Sequence, residues 1–228
     1  MCFSASASFI VGGSLTLLGV VTLKHATKRA ELPFASIPLL FGIQQSVEGL
    51  LWLSIQQDMA LLKTAMTYIF TFFSHLLWPA FVPYAIALME NRPGRDLAMW
   101  RSNLMWGFRG VGVVVAMLLL ALVATQPLMA VVDRHIIYVT PFFYDWPVML
   151  LYIAATCIVA FFSTYPLIRL FGLTVLAFFF VSYWFYTEAF FSVWCFFAAI
   201  TSLIVYIHFR RTKHEREMMV EKVVKDRL

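Results

Sequence analysis

The chain has 228 residues, of which 62% are hydrophobic, 17% are aromatic and only 13% are charged. Soluble domains contain about 25% charged residues, so this composition excludes a soluble globular protein and indicates a membrane protein with several spans. The formal net charge of +5 does not indicate nucleic-acid binding, because the basic residues lie in short clusters between apolar segments and near the C-terminus, as membrane topology requires.

Seven segments are apolar enough and long enough to span a bilayer, which takes about 20 residues. They are 3–23, 34–55, 63–88, 104–125, 146–163, 167–186 and 189–209. The last two are continuous in composition and together exceed one bilayer, so we predict that the chain turns at Thr187 and Glu188. The sequence therefore predicts an all-α fold, a seven-transmembrane-helix bundle that residues 1–209 form as one domain.

The basic residues also predict an orientation. With seven spans, 14 of the 17 Lys and Arg residues fall on one side and two on the other, and Arg109 lies inside the fourth helix. Positive residues concentrate in the cytoplasm, so we predict an outside N-terminus, a cytoplasmic C-terminus and a location in the cell (inner) membrane. Membrane lipids are the predicted partners.

Two connections carry further predictions. Residues 210–228 form a basic tail with apolar residues among the charges, which predicts a helix along the inner membrane surface. Docking of a membrane protein partner is the alternative for this tail. Between the fourth and fifth spans, "HIIYVTPFF" predicts a short strand or an interfacial segment over the mouth of the bundle.

The second span carries polar residues on one helix face. Phe41, Gln45, Glu48 and Trp52 follow helical spacing, and Gln44 lies beside them. Trp52 is predicted to be the outer aromatic anchor. An intramembrane carboxyl group is costly and normally faces a cavity or a partner, so we predict that Glu48 faces a site. The alternative is a protonated Glu48 that only joins helices by a hydrogen bond.

The third and seventh spans each present an inward polar face as well. In the third, a row of hydroxyl side chains leads to His75 and Trp78. Pro79 and Pro83 follow, and each removes a backbone hydrogen bond, which kinks a helix and frees carbonyl groups that need other partners. In the seventh, small and polar residues recur at helical spacing: Ser192, Cys195, Ala199, Ser202 and Tyr206. The first span has a small-residue stripe that predicts a close helix contact: Ser8, Gly12, Thr16 and Gly19.

The predicted topology gathers acids, a histidine and thiols toward the outer side. These residues are Cys2, Glu48, His135, Tyr138, Asp145, Glu188 and Cys195, with His75 the deepest. We predict an outward-open polar pocket from this convergence.

Three functions fit such a pocket. The first is binding of a transition metal or small ligand, with redox or transfer chemistry as an option. The metal donors would be Cys2, Glu48, His75 and Cys195, and the ligand lining Gln44, Gln45, Trp52, Trp78 and Glu188. The second is an enzyme acting on a lipid-like substrate, with Glu48, His75 and Asp145 as acid–base residues. The third is a structural or accessory membrane subunit. Retinal is excluded as a cofactor, because no lysine lies between 189 and 209.

Five stretches carry a family resemblance: "MCFSASASF", "LLFGIQQSVEGLLWL", "LLWPAFVPYAIALME", "LIRLFG" and "SVWCFFAAITSLIVYIHF". Over its whole length the chain resembles an uncharacterised family of bacterial multi-pass membrane proteins that begin Met-Cys-Phe-Ser-Ala. The resemblance implies a membrane protein without an assigned activity. Its motifs include several of the polar positions above: Cys2, Ser4, Gln45, Glu48, Trp52, Trp78, Pro79 and Cys195.

Overall fold

The computed structural model describes residues 4–91, 98–132, 135–139 and 146–226. Within these ranges the chain forms seven helices: α1 (Ala5–His25), α2 (Ile37–Gln56), α3 (Ala60–Glu90), α4 (Met99–Thr125), α5 (Trp146–Phe161), α6 (Pro166–Phe185) and α7 (Phe190–Lys225). A 3-10 turn (Arg29–Glu31) and a one-turn helix (Leu32–Ala35) precede α2. The predicted all-α helical bundle is confirmed, and so is the turn at Thr187 and Glu188.

Five of these helices are long and apolar enough to cross a membrane: α1, α3, α4, α6 and α7. The apolar helix α5 is shorter. Helix α2 has 20 residues, but it carries glutamines and a glutamate and is not among these five. The five long helices indicate a membrane protein, and the orientation of the bundle in the membrane stays a prediction.

Helices α1 and α2 pack closely through small residues. A Cβ atom on Gly12 would lie 2.6 Å from Ser46 Oγ, and one on Gly42 would lie 2.5 Å from Thr16 Oγ1. A Cβ atom on Gly19 would come within 2.4 Å of the backbone nitrogen of Leu39. Small residues let helix backbones approach in lipid, so the contact predicted from the α1 stripe is confirmed.

Helix α3 changes its winding before its first proline. Residues Phe72–Leu77 are π-helical, and the Trp78 N–H donates to the carbonyl of Phe73, five residues back. In this winding the carbonyl of Ser74 would accept from residue 79, but Pro79 has no N–H. The hydroxyl of Tyr152 in α5 donates to the Ser74 carbonyl instead. The sequence predicted freed carbonyls here, and the structure supplies a partner for this one.

The connection between α4 and α5 contains a β-hairpin. Strand β1 (Met129–Val132) pairs antiparallel with β2 (Ile136–Val139), and Ala130 lies opposite Tyr138. The Tyr138 ring stacks on Phe70 of α3, with 4.3 Å between ring centroids. The hairpin therefore packs on the start of α3, at what we call the hairpin end of the bundle, and the predicted short strand is confirmed.

At the other end of the bundle, hydrogen bonds to Glu90 connect α3 with the α5–α6 connection. This fully buried side chain accepts hydrogen bonds from the Ser163 hydroxyl at 2.6 Å, the Thr164 N–H at 2.9 Å and the Thr164 hydroxyl at 2.7 Å. A buried carboxyl group is tolerated when hydrogen bonds replace its hydration. This contact was not foreseen from the sequence.

The tail is helical and continues α7. The Arg216 guanidinium contacts Glu31 at 2.6 Å and also donates to the Thr27 hydroxyl. Glu31 is buried and accepts from the backbone N–H groups of Thr27 and Lys28 at 3.1 and 3.3 Å. The α7 extension is thereby held against the α1–α2 connection.

We expect the Arg216–Glu31 contact to make stability depend on acid pH. Burial alone would raise the pKa of Glu31, but hydrogen bonds from Arg216 and Thr27, with the charge of Arg216, lower it below its usual value of 4.5. A carboxyl group with a lowered folded-state pKa stabilises the fold above its unfolded pKa, and this contribution is lost as pH falls through the folded pKa.

Arg216→Gln should therefore cost roughly 2 kcal/mol near neutral pH, and the difference from the unsubstituted protein should shrink below pH 4.5. Melting temperatures of both proteins across this pH range measure the effect. Lys213→Gln is the control, because Lys213 forms an exposed pair with Glu217 at 3.8 Å. A difference that does not change with pH would contradict the assignment.

Candidate functional site

One face of α2 is polar and lies inside the bundle. Gln44, Gln45 and Glu48 are completely buried, and Trp52 is 7% exposed. We call these four residues the α2 polar face. As its helical spacing from Glu48 predicts, Trp52 lies on the inward face, and its role as the outer aromatic anchor stays a prediction. The inward direction of the other three residues agrees with the sequence prediction.

Gln44 joins three helices. The Trp78 indole N–H donates to Gln44 Oε1 at 2.7 Å. Because an indole can only donate, this bond sets the orientation of the amide and directs its nitrogen away from Trp78. The Gln44 side chain also lies beside the Cys195 thiol of α7. The Trp78 ring stacks on Phe41, with 4.0 Å between centroids.

The start of α7 contacts two of the three predicted acid–base residues, Glu48 and His75. The Ser192 hydroxyl donates to Glu48 Oε1. The neighbouring Phe191 ring lies 4.3 Å from the His75 ring, centroid to centroid. His75 Nδ1 is 2.8 Å from the Ser74 hydroxyl. Glu48 and His75 therefore belong to one buried region, each held by its own hydroxyl group.

A small cavity of about 30 Å³ borders this region. Its lining is mostly apolar, with Trp78, Tyr152, Thr156 and Cys195 contributing the polar groups and the thiol. A cavity needs roughly 10–15 Å³ to hold one water molecule, so this space fits one or two waters or a ligand of similar size. It does not fit a lipid chain in this conformation.

Residues 1–220 match the model of a family of unknown function, DUF6629. The chain belongs to this family. No curated protein and no solved structure matches it. As the resemblance implied, the DUF6629 family brings no activity with it, so the function must be argued from the site.

The donor set for a metal is incomplete within the described part of this DUF6629 protein. There, no group of three or more His, Cys, Asp or Glu side chains is placed to hold a metal ion. Glu48, His75 and Cys195 thus do not form a ligand set by themselves. The larger set with Cys2 stays a prediction, because Cys2 lies outside the described residues, as does the predicted acid–base residue Asp145.

A second, open groove of about 490 Å³ lies at the hairpin end of the DUF6629 chain. Its lining includes His135, Tyr186, Thr187 and Glu188. Glu188 is exposed here, whereas the α2 polar face is buried. The described residues among those predicted to converge therefore do not share one pocket: His135 and Glu188 line a surface groove, whereas the α2 polar face is buried.

Two residues that sequence reasoning missed belong to the buried region of the DUF6629 bundle. Tyr152 and Thr156 on α5 both line the cavity, and Tyr152 holds the freed carbonyl of Ser74. Their spacing of four residues puts them on one helix face. A search for polar residues at helical spacing in the fifth span would have found them.

Proposed function

We propose that this protein binds a small, uncharged molecule that accepts hydrogen bonds, in its core beside the α2 polar face. The observation that carries the proposal is the environment of the Gln45 side chain. Its side chain is completely buried, and neither its amide nitrogen nor its amide oxygen has a hydrogen-bond partner among the described residues. An unpaired amide in apolar surroundings costs several kcal/mol, so a bound partner would stabilise the core.

The chemistry of the available groups favours an acceptor. Besides the Gln45 amide, the indole N–H of Trp52 has no partner in the described ranges, so donor hydrogens outnumber acceptors. Metal cations need acceptors, which makes a cation a poorer match for these groups. The carboxyl group of Glu48 on the same face disfavours an anion. A neutral acceptor, such as a small carbonyl compound, satisfies both conditions.

The nearby cavity, which Gln45 itself does not line, has room for a ligand of only a few non-hydrogen atoms. Gln44, the neighbour of Gln45 in α2, contacts both Trp78 and Cys195, and these two residues line the cavity of about 30 Å³. A lipid-like substrate would need a much larger space, so the geometry favours binding of a small ligand over an enzyme that acts on lipids.

A Gln45→Met variant tests the proposal by the sign of its effect. Met matches Gln in length but cannot hydrogen-bond, so loss of a bound ligand should lower the melting temperature and remove a bound mass seen by native mass spectrometry. If Gln45 is only an unpaired structural residue, the same variant should be more stable, because the buried polar atoms are gone.

The matched control is Gln57→Met at the exposed end of α2, which should change neither property. The protein should be purified from its own membranes so that a natural ligand is retained. Elemental analysis of the same samples tests the metal alternative. A stoichiometric metal that is lost in Glu48→Gln would favour that alternative over the neutral ligand.

A further inference from the structure

Arg109 lies on α4, apart from the buried region, and is held by two aromatic rings. Its guanidinium carbon is 4.7 Å from the centroid of the Trp106 ring and 5.1 Å from that of Tyr84 on α3. Within the described residues it forms no ion pair with a carboxyl group. Ring faces attract a cation but do not neutralise its charge.

The position of Arg109 along α4 places its side chain within reach of the lipid headgroups. The helix has 27 residues, about 40 Å, which exceeds the roughly 30 Å of bilayer hydrocarbon. Arg109 lies ten residues after Met99, about 15 Å along the axis. Trp100 and Trp106 are exposed on the same stretch, as interfacial tryptophans are. The long arginine side chain can reach the interface from there.

An apolar groove of about 410 Å³ begins at Arg109 and runs between α3 and α4. Its other lining residues are Phe72, Leu76, Leu77, Ala80, Phe81, Tyr84 and Val113. From Tyr84 to Phe72 the wall extends over twelve residues, about 18 Å. Half of the Phe72 side chain is exposed. The groove therefore combines one cation at one end with a long apolar wall.

We propose that this groove binds a membrane phospholipid, with the lipid phosphate on Arg109 and one acyl chain along α3. Charge complementarity argues for a phosphate, because an arginine at membrane depth requires a counter-charge and the described residues supply none. The apolar wall argues for an acyl chain, since a soluble phosphate ion would leave it uncovered. The site is independent of the ligand proposed for the core.

The test is binding of phosphatidylglycerol to delipidated protein in detergent, followed by native mass spectrometry. We expect one tightly held lipid, and a roughly tenfold or larger loss of affinity in Arg109→Gln, because the phosphate contact is charge-assisted. Arg101→Gln is the matched control: Arg101 lies on the same helix and over the Trp100 ring at 5.1 Å, but does not line the groove. The affinity of the Arg101→Gln variant for phosphatidylglycerol should change less than twofold.

Further variants and ligands test the contacts of the headgroup and of the acyl chain separately. Ala80→Trp fills the groove but keeps Arg109, so it should also weaken lipid binding. Arg109→Lys keeps the positive charge, so it should retain most of the lipid affinity. Inorganic phosphate should not compete with the lipid, and diacylglycerol should bind weakly to the unsubstituted protein. Equal lipid affinity in Arg109→Gln and Arg101→Gln would overturn the proposal, as would a dimer that depends on Arg109 in place of the lipid.

Discussion

Gly112→Ala is expected to destabilise the protein by roughly 3 kcal/mol, because the added methyl group has no space. A Cβ atom at Gly112 would lie 2.0 Å from the carbonyl oxygen of Pro79 and 2.9 Å from Cγ of Pro83. Pro83 has no N–H, so the Pro79 carbonyl lacks its usual helix bond. The backbone of α4 packs directly on this carbonyl, and only glycine permits the approach.

Gly110 supplies the control for this prediction. It lies on the same helix, but a Cβ atom there would meet nothing within 4 Å among the described residues. Gly110→Ala should be neutral, or stabilising by up to about 1 kcal/mol through helix propensity. Thermal unfolding of the two variants in the same detergent measures the difference. Equal melting temperatures would mean that α3 and α4 do not pack as described.

The second large effect is expected at Glu48. Glu48→Ala should cost roughly 3–5 kcal/mol, because it removes a buried group that Ser192 contacts and leaves the Ser192 hydroxyl without this acceptor. Glu48→Gln keeps an oxygen that can accept from Ser192, so it should cost much less. Unfolding of both variants tests whether the hydrogen bond or the charge matters for stability.

A double-mutant cycle with Ser192→Ala makes the test specific. If the contact between Glu48 and Ser192 is the source of the effect, the two substitutions should couple by roughly 0.5–3 kcal/mol. Ser46→Ala is the control partner, because Ser46 is on α2 but bonds to the carbonyl of Gly42. Additive effects of Glu48→Ala and Ser192→Ala would show that the two side chains act separately.

The helices and their inward faces could be predicted from the sequence because both depend on local patterns. The length of each apolar segment indicates a span, and the spacing of Gln45 and Glu48 indicates one helix face. The small residues of α1 indicate a close contact without naming the partner. Trp52 shows the limit of this reasoning: its spacing puts it on the face of Glu48, but which helices cover it does not follow from the pattern.

The contacts that make the candidate site could not be predicted in the same way. Tyr152 bonds to the carbonyl of Ser74 across 78 positions, and Ser192 to Glu48 across 144. Such pairs depend on which helices are neighbours and on their vertical alignment, which apolar composition leaves open. The same holds for Gly112, whose role depends on a carbonyl of another helix that a proline has freed.

By itself, then, the sequence determined the number of helices, their approximate limits and the burial of the α2 polar face, because hydrophobic length and helical periodicity act locally. Only the tertiary structure decided that Gln44 pairs with Trp78, that Gln45 lies without a partner among the described residues, and that Glu188 stays apart at the surface. These outcomes depend on how the helices pack. The composition allows many polar pairings equally, and hydrogen-bond geometry and available space select among them.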